Sequence, residues 1–197
     1  MTGHRFGNRL LAALPAEGLT ALEPYVTDVS LQQGARLCEP GRQIDSIIFP
    51  HSGLISLVTV MAGAALETGI IGREGALGLT SLADRRALPT RAQVQVPGLF
   101  SVVPAARLAE AMKDHSALRT WAMDYLEELL AEAQQAAFCN AIHDAGSRLC
   151  RWMLQIADRL GNDTLPFTQE ELSQLLGVRR TTVTVLAQAL MERGLIK

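Results

Sequence analysis

The sequence predicts an α+β fold: an N-terminal antiparallel β-roll of jelly-roll type, a long helix suited to dimerisation, and a C-terminal helical domain holding a helix-turn-helix. Three observations carry this. Seven short alternating apolar runs, broken by Gly and Pro, fill residues 25–103; neither Gly nor Pro interrupts 105–145; and a helix-start signal, a Gly and a second apolar stripe succeed one another across 167–194. The expected divisions are 1–22, a helical cap; 23–103, the roll; 104–140, connecting and dimerisation helices; and 141–197, the helix-turn-helix domain. With 48% hydrophobic and 19% charged residues over 197 positions, the chain can bury a real core, which excludes a disordered one.

In the cap, Leu10, Leu11, Leu14, Leu19 and Leu22 are split by Pro15, which reads as two short helices meeting at a Pro-initiated turn. The strand runs are 29–31, 35–38, 44–49, 53–61, 67–71, 92–96 and 99–103. Turns fall at Gly34, Pro40-Gly41, Pro50, Gly63, Gly72 and Pro97-Gly98, the punctuation of an antiparallel roll. Between Gly72 and Pro89, the glycines Gly72, Gly75 and Gly78 precede Asp84, Arg85 and Arg86, which predicts a short helix and a loop inside the roll.

Pro104 suits the first turn of a helix, and a helix or helix pair fills the stretch up to Gly146. Ala122, Leu126, Leu129, Ala133 and Ala136 recur at steps of four, three, four and three, and Leu118, Trp121, Tyr125 and Leu130 widen that seam. Such a seam serves either the helix's own domain or a second copy of it. The small alanines let two backbones approach closely, so Ala122, Tyr125, Leu126, Leu129, Ala133 and Ala136 are the expected dimer contacts, on a helix of about 20 to 26 residues, ~30 to 40 Å long. Residues 147–160 then carry Leu149, Trp152, Met153, Ile156 and Leu160 on one face and stop at Gly161-Asn162.

The strongest local signal spans 167–197. Thr168 followed three positions later by Glu171 is a capping box, Leu172, Leu175 and Leu176 face inward, and Gly177 supplies the positive φ of a tight inter-helix turn. A second helix over 179–193 has Val183, Leu186 and Leu190 as its buried stripe and a basic, Thr-rich start. A short helix, a Gly-containing turn and such a second helix make a helix-turn-helix. A helix fits the major groove, where a guanidinium bonds both O6 and N7 of guanine and threonine contacts bases or phosphate. Arg179, Arg180, Thr181, Thr182, Thr184 and Gln188, with Thr168 and Gln169 at the start of the first helix, are therefore the candidate DNA contacts. A solvated helical hairpin is the competing reading of the same residues.

Charge restricts how DNA could be held. Lys and Arg number 18 against 20 Asp and Glu, a net of -2, so no uniform basic field exists. Residues 142–197 carry seven basic against six acidic residues, so placement matters more than the sum: Asp163, Glu170 and Glu171 lie at or before the first helix, whereas Arg179 and Arg180 open the second. No apolar run reaches membrane-spanning length and none resembles a signal peptide core, so a cytoplasmic protein without a membrane partner is expected. Cys38, Cys139 and Cys150 form no CxxC pair and read as reduced thiols; a redox pair of Cys139 with Cys150 would need partners about three turns apart on one helix. His51 is the only histidine in the strand region, no nucleophile and base fall together, and no Gly-rich nucleotide loop appears, so enzyme activity and bound metal are not expected.

At this point the layout resembles the Crp-Fnr family of bacterial transcription regulators, over nearly the whole chain. The most specific piece is FTQEELSQLLGVRRTTVTVLAQALMERGLIK; EPGRQIDSIIFPHSGLISLV resembles the family's turn-strand-turn in the roll, and 72–79 its phosphate cassette. The resemblance implies a homodimer on palindromic double-stranded DNA, with Arg180 as the base-reading arginine, Thr182 touching phosphate, a roll that senses a small-molecule effector, and contact with RNA polymerase. Departures alter these expectations. Ala76 stands where nucleotide-binding members carry the ribose-binding Glu, with Glu74 before Gly75, and Thr90-Arg91 inverts the later Arg-hydroxyl pair. Glu74, Gly75, Ala76, Thr90 and Arg91 are thus the candidate effector pocket, yet cyclic AMP in the family pose is not expected. No cysteine precedes Cys38 to hold an iron–sulfur cluster, and His4, His51, His115 and His143 form no haem pattern. Thr181 and Thr184-Val185 replace the family's Glu and second Arg, so a different operator is expected, and Arg179 replaces a hydroxyl cap. The family normally continues past G-L-I into a β-hairpin wing, whereas Lys197 follows Ile196 here; a truncated chain or a wingless variant would be the weaker binder. A ligand-binding or protein-interaction module with a vestigial helix-turn-helix is the alternative.

Overall fold

The structure, a computed structural model, describes residues 7–61, 64–82 and 89–197. Two short helices, α1 (Arg9–Ala12) and α2 (Ala16–Leu22), meet at Pro15, the N-cap of α2. Seven strands follow: β1 (Thr27–Leu31), β2 (Arg36–Cys38), β3 (Ser46–Pro50), β4 (Leu54–Met61), β5 (Ala64–Ile71), β6 (Arg91–Val96) and β7 (Gly98–Pro104). They pair antiparallel in two sheets, ordered β1-β7-β3 and β2-β6-β4-β5. Alternation explains the layering: Ile55, Ala92, Val94 and Phe100 face between the sheets with Ile48 and Ile71, whereas Leu54, Ser56, Glu67 and Ile70 lie on the other face of the four-stranded sheet. Pro50 ends β3, an edge strand of the smaller sheet, where a missing N–H is tolerated. Of the stretch after Gly72, a single 3₁₀ turn at Leu79–Ser81 is formed; Asp84, Arg85 and Arg86, like Gly63 and His4, lie outside the described residues.

Pro104 closes β7 and serves as N-cap of α3 (Ala105–Asp114). After a break at His115 comes α4 (Ser116–Ile142), 27 residues long and hence ~40 Å. Its first half belongs to the roll: Leu118, Trp121, Ala122 and Tyr125 are buried among Leu11, Leu22, Phe49 and Ala76, and the Trp121 indole N–H donates to the Leu10 carbonyl. Its second half is largely free, exposing Leu130, Phe138 and Ile142.

α5 (Ala145–Leu160), α6 (Gln169–Leu176) and α7 (Arg180–Glu192) complete the chain. Leu149, Trp152 and Ile156 of α5 form one core with Leu176, Leu190 and, from the roll, Leu54 and Ile70. The helical domain is therefore seated on the outer face of the four-stranded sheet. Cys139 and Cys150 sit on different helices, and all three cysteines are free, so the single-helix spacing considered for a redox pair does not apply. No helix among the described residues is long and apolar enough to cross a membrane.

Candidate nucleic-acid interface

The capping box forms as its residues dictate. The Glu171 amide donates to Thr168 Oγ1 at 3.2 Å and the Thr168 amide donates to Glu171 Oε2 at 2.8 Å, which satisfies two otherwise free donors of α6. The other carboxylate oxygen, Oε1, accepts from Gln33 and Gln95 at 3.3 Å each, tying the start of α6 to the roll. Gly177 ends α6 at φ +63°, a conformation a side chain would strain, and Val178 packs into the corner.

Arg179 is the N-cap of α7 and makes no side-chain cap bond, so it offers the helix's first amides a positive neighbour instead of an acceptor. Val183 and Leu190 are buried, and Leu186 packs against the same core. Opposite them, Arg180, Thr181, Thr184 and Gln188 are exposed along one strip, with Arg179 at its head. Among the described residues no carboxylate forms an ion pair with Arg179 or Arg180. Thr184 donates to Gln169 Oε1 at 2.7 Å and to the Arg180 carbonyl at 3.1 Å, which joins the two helices of the motif. Gln188 donates to Glu192 at 3.3 Å. Thr182 is half-buried on the flank, Thr168 is exposed and Gln169 half-buried. The polar pattern overlooks one member of the strip: Val185, 67% exposed, one helical turn beyond Thr181. Its signal was its distance from the buried stripe, not its chemistry.

The candidate effector pocket does not assemble. Ala76 is buried, its amide donates to the Tyr125 hydroxyl at 3.0 Å, and that hydroxyl donates to the Ala76 carbonyl at 3.2 Å. Gly75 makes this possible, since a Cβ there would lie 2.4 Å from the phenol oxygen. Burial pushes the Tyr125 phenol well above its ordinary pKa, so it stays a neutral bridge. Glu74 turns the other way, accepting from the Gly72 amide at 2.9 Å and from Arg159 Nε of α5 at 2.8 Å; Arg159 also reaches Glu132 of α4. Arg91, beside Val58 at the far end of β4, pairs with Glu39 at 3.2 Å and, with Arg36, holds that carboxyl below its usual range. Thr90 lies half-buried just before it. Register separates the two charged residues: Arg91 opposes Val58, whereas Glu74 follows Ile71, which opposes Ile55.

The dimer seam also shifts. Ala122 and Tyr125 point into their own roll and Leu129 packs against that core, while Ala136 lines the space under α5. Of the expected contacts, Leu126 remains on the open side, in line with Met123, Leu130 and Ala141, while Ala133, exposed like Ala137, borders both that side and the space under α5. The roll's demand for an apolar cover claimed the widest part of the stripe.

At the junction of the two domains Glu67 of β5 is enclosed, accepting from Ser56 Oγ at 2.5 Å and Trp152 Nε1 at 3.4 Å. Burial raises its pKa to about 7 against these hydrogen bonds and the Arg159 charge, which act downward.

A β-roll, a long helix and an exposed helix-turn-helix thus follow one another along the chain. Residues 147–197 match the Crp-like helix-turn-helix domain. The chain is similar in fold to the c-di-GMP-responsive global regulator CLP of Xanthomonas campestris, at TM-score 0.72 and 15% identity over 91% of this chain and 93% of that one. It is similar to FixK2 of Bradyrhizobium japonicum at TM-score 0.76 and 14% identity, covering 86% of each chain. It is similar to TTHA1359, a CRP/FNR-family regulator of Thermus thermophilus, at TM-score 0.65 and 22% identity over 85% of this chain and 87% of that one. No curated protein matches the chain. Residues 147–197 are thus a Crp-like helix-turn-helix domain, on a chain with the fold of the Crp/Fnr transcription regulators.

Proposed function

We propose that the chain is a homodimeric transcription regulator that reads a palindromic operator through α7. The observation that carries this is the N-terminal end of α7: Arg179, Arg180, Thr181 and Thr184 stand exposed on the face opposite the core, at a helix terminus that favours phosphate. Arg180 supplies the bidentate guanine contact, Arg179 and Thr182 the phosphate contacts, and Thr168 with Gln169 anchors the first helix to the backbone. Two copies joined along Met123, Leu126, Leu130 and Ala133 of α4 would present their reading helices to half-sites about 34 Å apart.

The cassette is not proposed as a cyclic-nucleotide site, because Tyr125 takes up the Ala76 backbone and Ala76 itself stands where the resemblance would place the ribose-binding carboxylate. No metal, haem or iron–sulfur cofactor enters the proposal. The junction of β5, α4 and α5 holds a cavity of 390 Å³ lined by Ile70, Ala133, Arg148, Arg151 and Trp152 among others, and we place effector input there, where occupancy biases the seating of the helical domain. RNA polymerase is the proposed protein partner of the DNA-bound dimer.

The test is selection from a randomised duplex library with the full chain, followed by titration of the selected operator. Arg180→Ala should cost about 1–3 kcal/mol per half-site and relax preference at one base pair; Arg179→Ala should weaken all sequences alike and lower the salt slope by about 1 per half-site. Absence of any sequence preference at low salt, with Arg180→Ala indistinguishable from the parent, would leave the interaction-module reading in its place.

A further inference from the structure

We infer that α7 reads the 5-methyl group of thymine through Val185, with Thr181 beside it, in the same half-site whose guanine Arg180 takes. The inference rests on the DNA-binding reading above and adds a base that the polar residues do not specify.

Residues 181–185 read Thr-Thr-Val-Thr-Val, five β-branched side chains in succession in the first turns of a helix. Each is a poorer helix former than Ala, because branching at Cβ restricts χ1 against the preceding turn. Core packing accounts for Val183, which is fully buried, and in part for the half-buried Thr182. It does not account for Val185, which is 67% exposed. Its neighbours on the strip, Arg180, Thr181, Thr184 and Gln188, are all polar, so Val185 is no part of a broad apolar patch.

What the run provides is a surface of methyl groups held in fixed rotamers, so little freedom remains to be lost when a partner surface meets them. The hydroxyl hydrogen of Thr184 is already engaged by Gln169 and the Arg180 carbonyl, so that residue has no donor left for a base. In the major groove only thymine presents a methyl group, and an apolar side chain is its natural contact. Arg180 and Val185 are five residues apart, ~7.5 Å along the helix axis, which places the thymine roughly two base pairs from the guanine.

The experiment uses the full chain and an operator taken from the randomised selection, with each thymine replaced singly by deoxyuridine, which lacks only the methyl group. Affinity is read by fluorescence anisotropy. One uracil position should weaken the parent protein about fourfold, the worth of one methyl-sized apolar group leaving a contact, and leave Val185→Ala unaffected. On the all-thymine operator Val185→Ala, which removes the contact from both half-sites of the dimer, should lose about sixteenfold. Val185→Ala alters an exposed site toward a better helix former, and an unchanged melting curve confirms its fold. The inference is overturned if no uracil position costs affinity on a specific operator, or if the penalty persists in Val185→Ala. Failure to select any operator removes the DNA-binding reading itself, a result distinct from either.

Discussion

Asn8 shows how one side chain can hold three elements. It is fully buried; its amide donates to the Pro50 and Gly75 carbonyls at 2.8 Å each, and its Oδ1 accepts from the Leu11 amide at 2.7 Å as the N-cap of α1. Its own backbone amide donates to His51 Nδ1 at 3.1 Å, which leaves Nε2 to carry the proton toward Ser101, and burial lowers the His51 pKa so that the ring stays neutral. Asn8→Ala should cost about 3 kcal/mol, since it strands two buried acceptors and a helix donor. Asn8→Asp should be no better, although aspartate caps helices as well as asparagine, because it would aim a carboxylate at two carbonyl oxygens. Urea denaturation of both variants checks this; stability restored by Asp would mean that capping is the whole of the residue's role. The cap on Leu11 is local, but nothing in the sequence marks the rest of what Asn8 does, since Pro50, His51 and Gly75 lie more than forty residues away. The capping box of Thr168 and Glu171 was legible because its partners are three residues apart.

At the scale of elements, what could be read from sequence depended on whether one neighbour or two competed for a face. All seven strands lie where the alternating runs and Gly/Pro breaks put them, and α6 and α7 follow from cap, glycine and stripe. The stripe of α4 is wide enough for two customers, and spacing alone does not say which takes which side. Gly75, without a Cβ, admits the Tyr125 phenol, and that contact turns Ala122 and Tyr125 toward the roll. Met123 and Leu130 are left outward, on the face proposed above for a second copy. Leu130→Asp should therefore raise the dimer dissociation constant at least tenfold by sedimentation while leaving the melting of the separated subunit within about 0.5 kcal/mol, as expected of an exposed site. Tyr125→Phe should do the reverse, destabilising the subunit by roughly 1–2 kcal/mol through the unsatisfied Ala76 amide and leaving association unchanged. The candidate effector residues failed to assemble for a related reason: Glu74 and Arg91 found Arg159 and Glu39 as partners, and sequence adjacency within a cassette cannot foresee a carboxylate captured by a helix 85 residues later.

The two domains meet at a junction that contains, among the described residues, the carboxylate whose pKa is pushed furthest up. Glu67 lies between the four-stranded sheet and α5; Ser56 and Trp152 donate to it, and Arg159, which also bridges Glu74 and Glu132, is the charge that bears on it. Its pKa rises from 4.5 to about 7 on folding, so the folded state retains a proton that the unfolded chain has already released. Below about pH 4.5 both states are protonated and the contribution of Glu67 to stability is complete. Across the window from about 4.5 to about 7 the unfolded state binds fewer protons, so stability falls as pH rises, by roughly 3 kcal/mol in all. Glu39 and Asp144, whose carboxyls are held below their usual range, act with the opposite sign, so the parent's pH profile alone would not isolate the effect. The informative quantity is the difference between the parent and Glu67→Gln in urea unfolding at pH 4, 6 and 8. Glutamine cannot ionise, and it should be worse than or equal to glutamate at pH 4 and better at pH 8, with the crossover between about pH 4.5 and about 7. Parallel profiles would show that Glu67 titrates alike in the folded and the unfolded chain. In that event the hydrogen bonds from Ser56 and Trp152, with the nearby Arg159, would offset the burial that the junction imposes on this side chain.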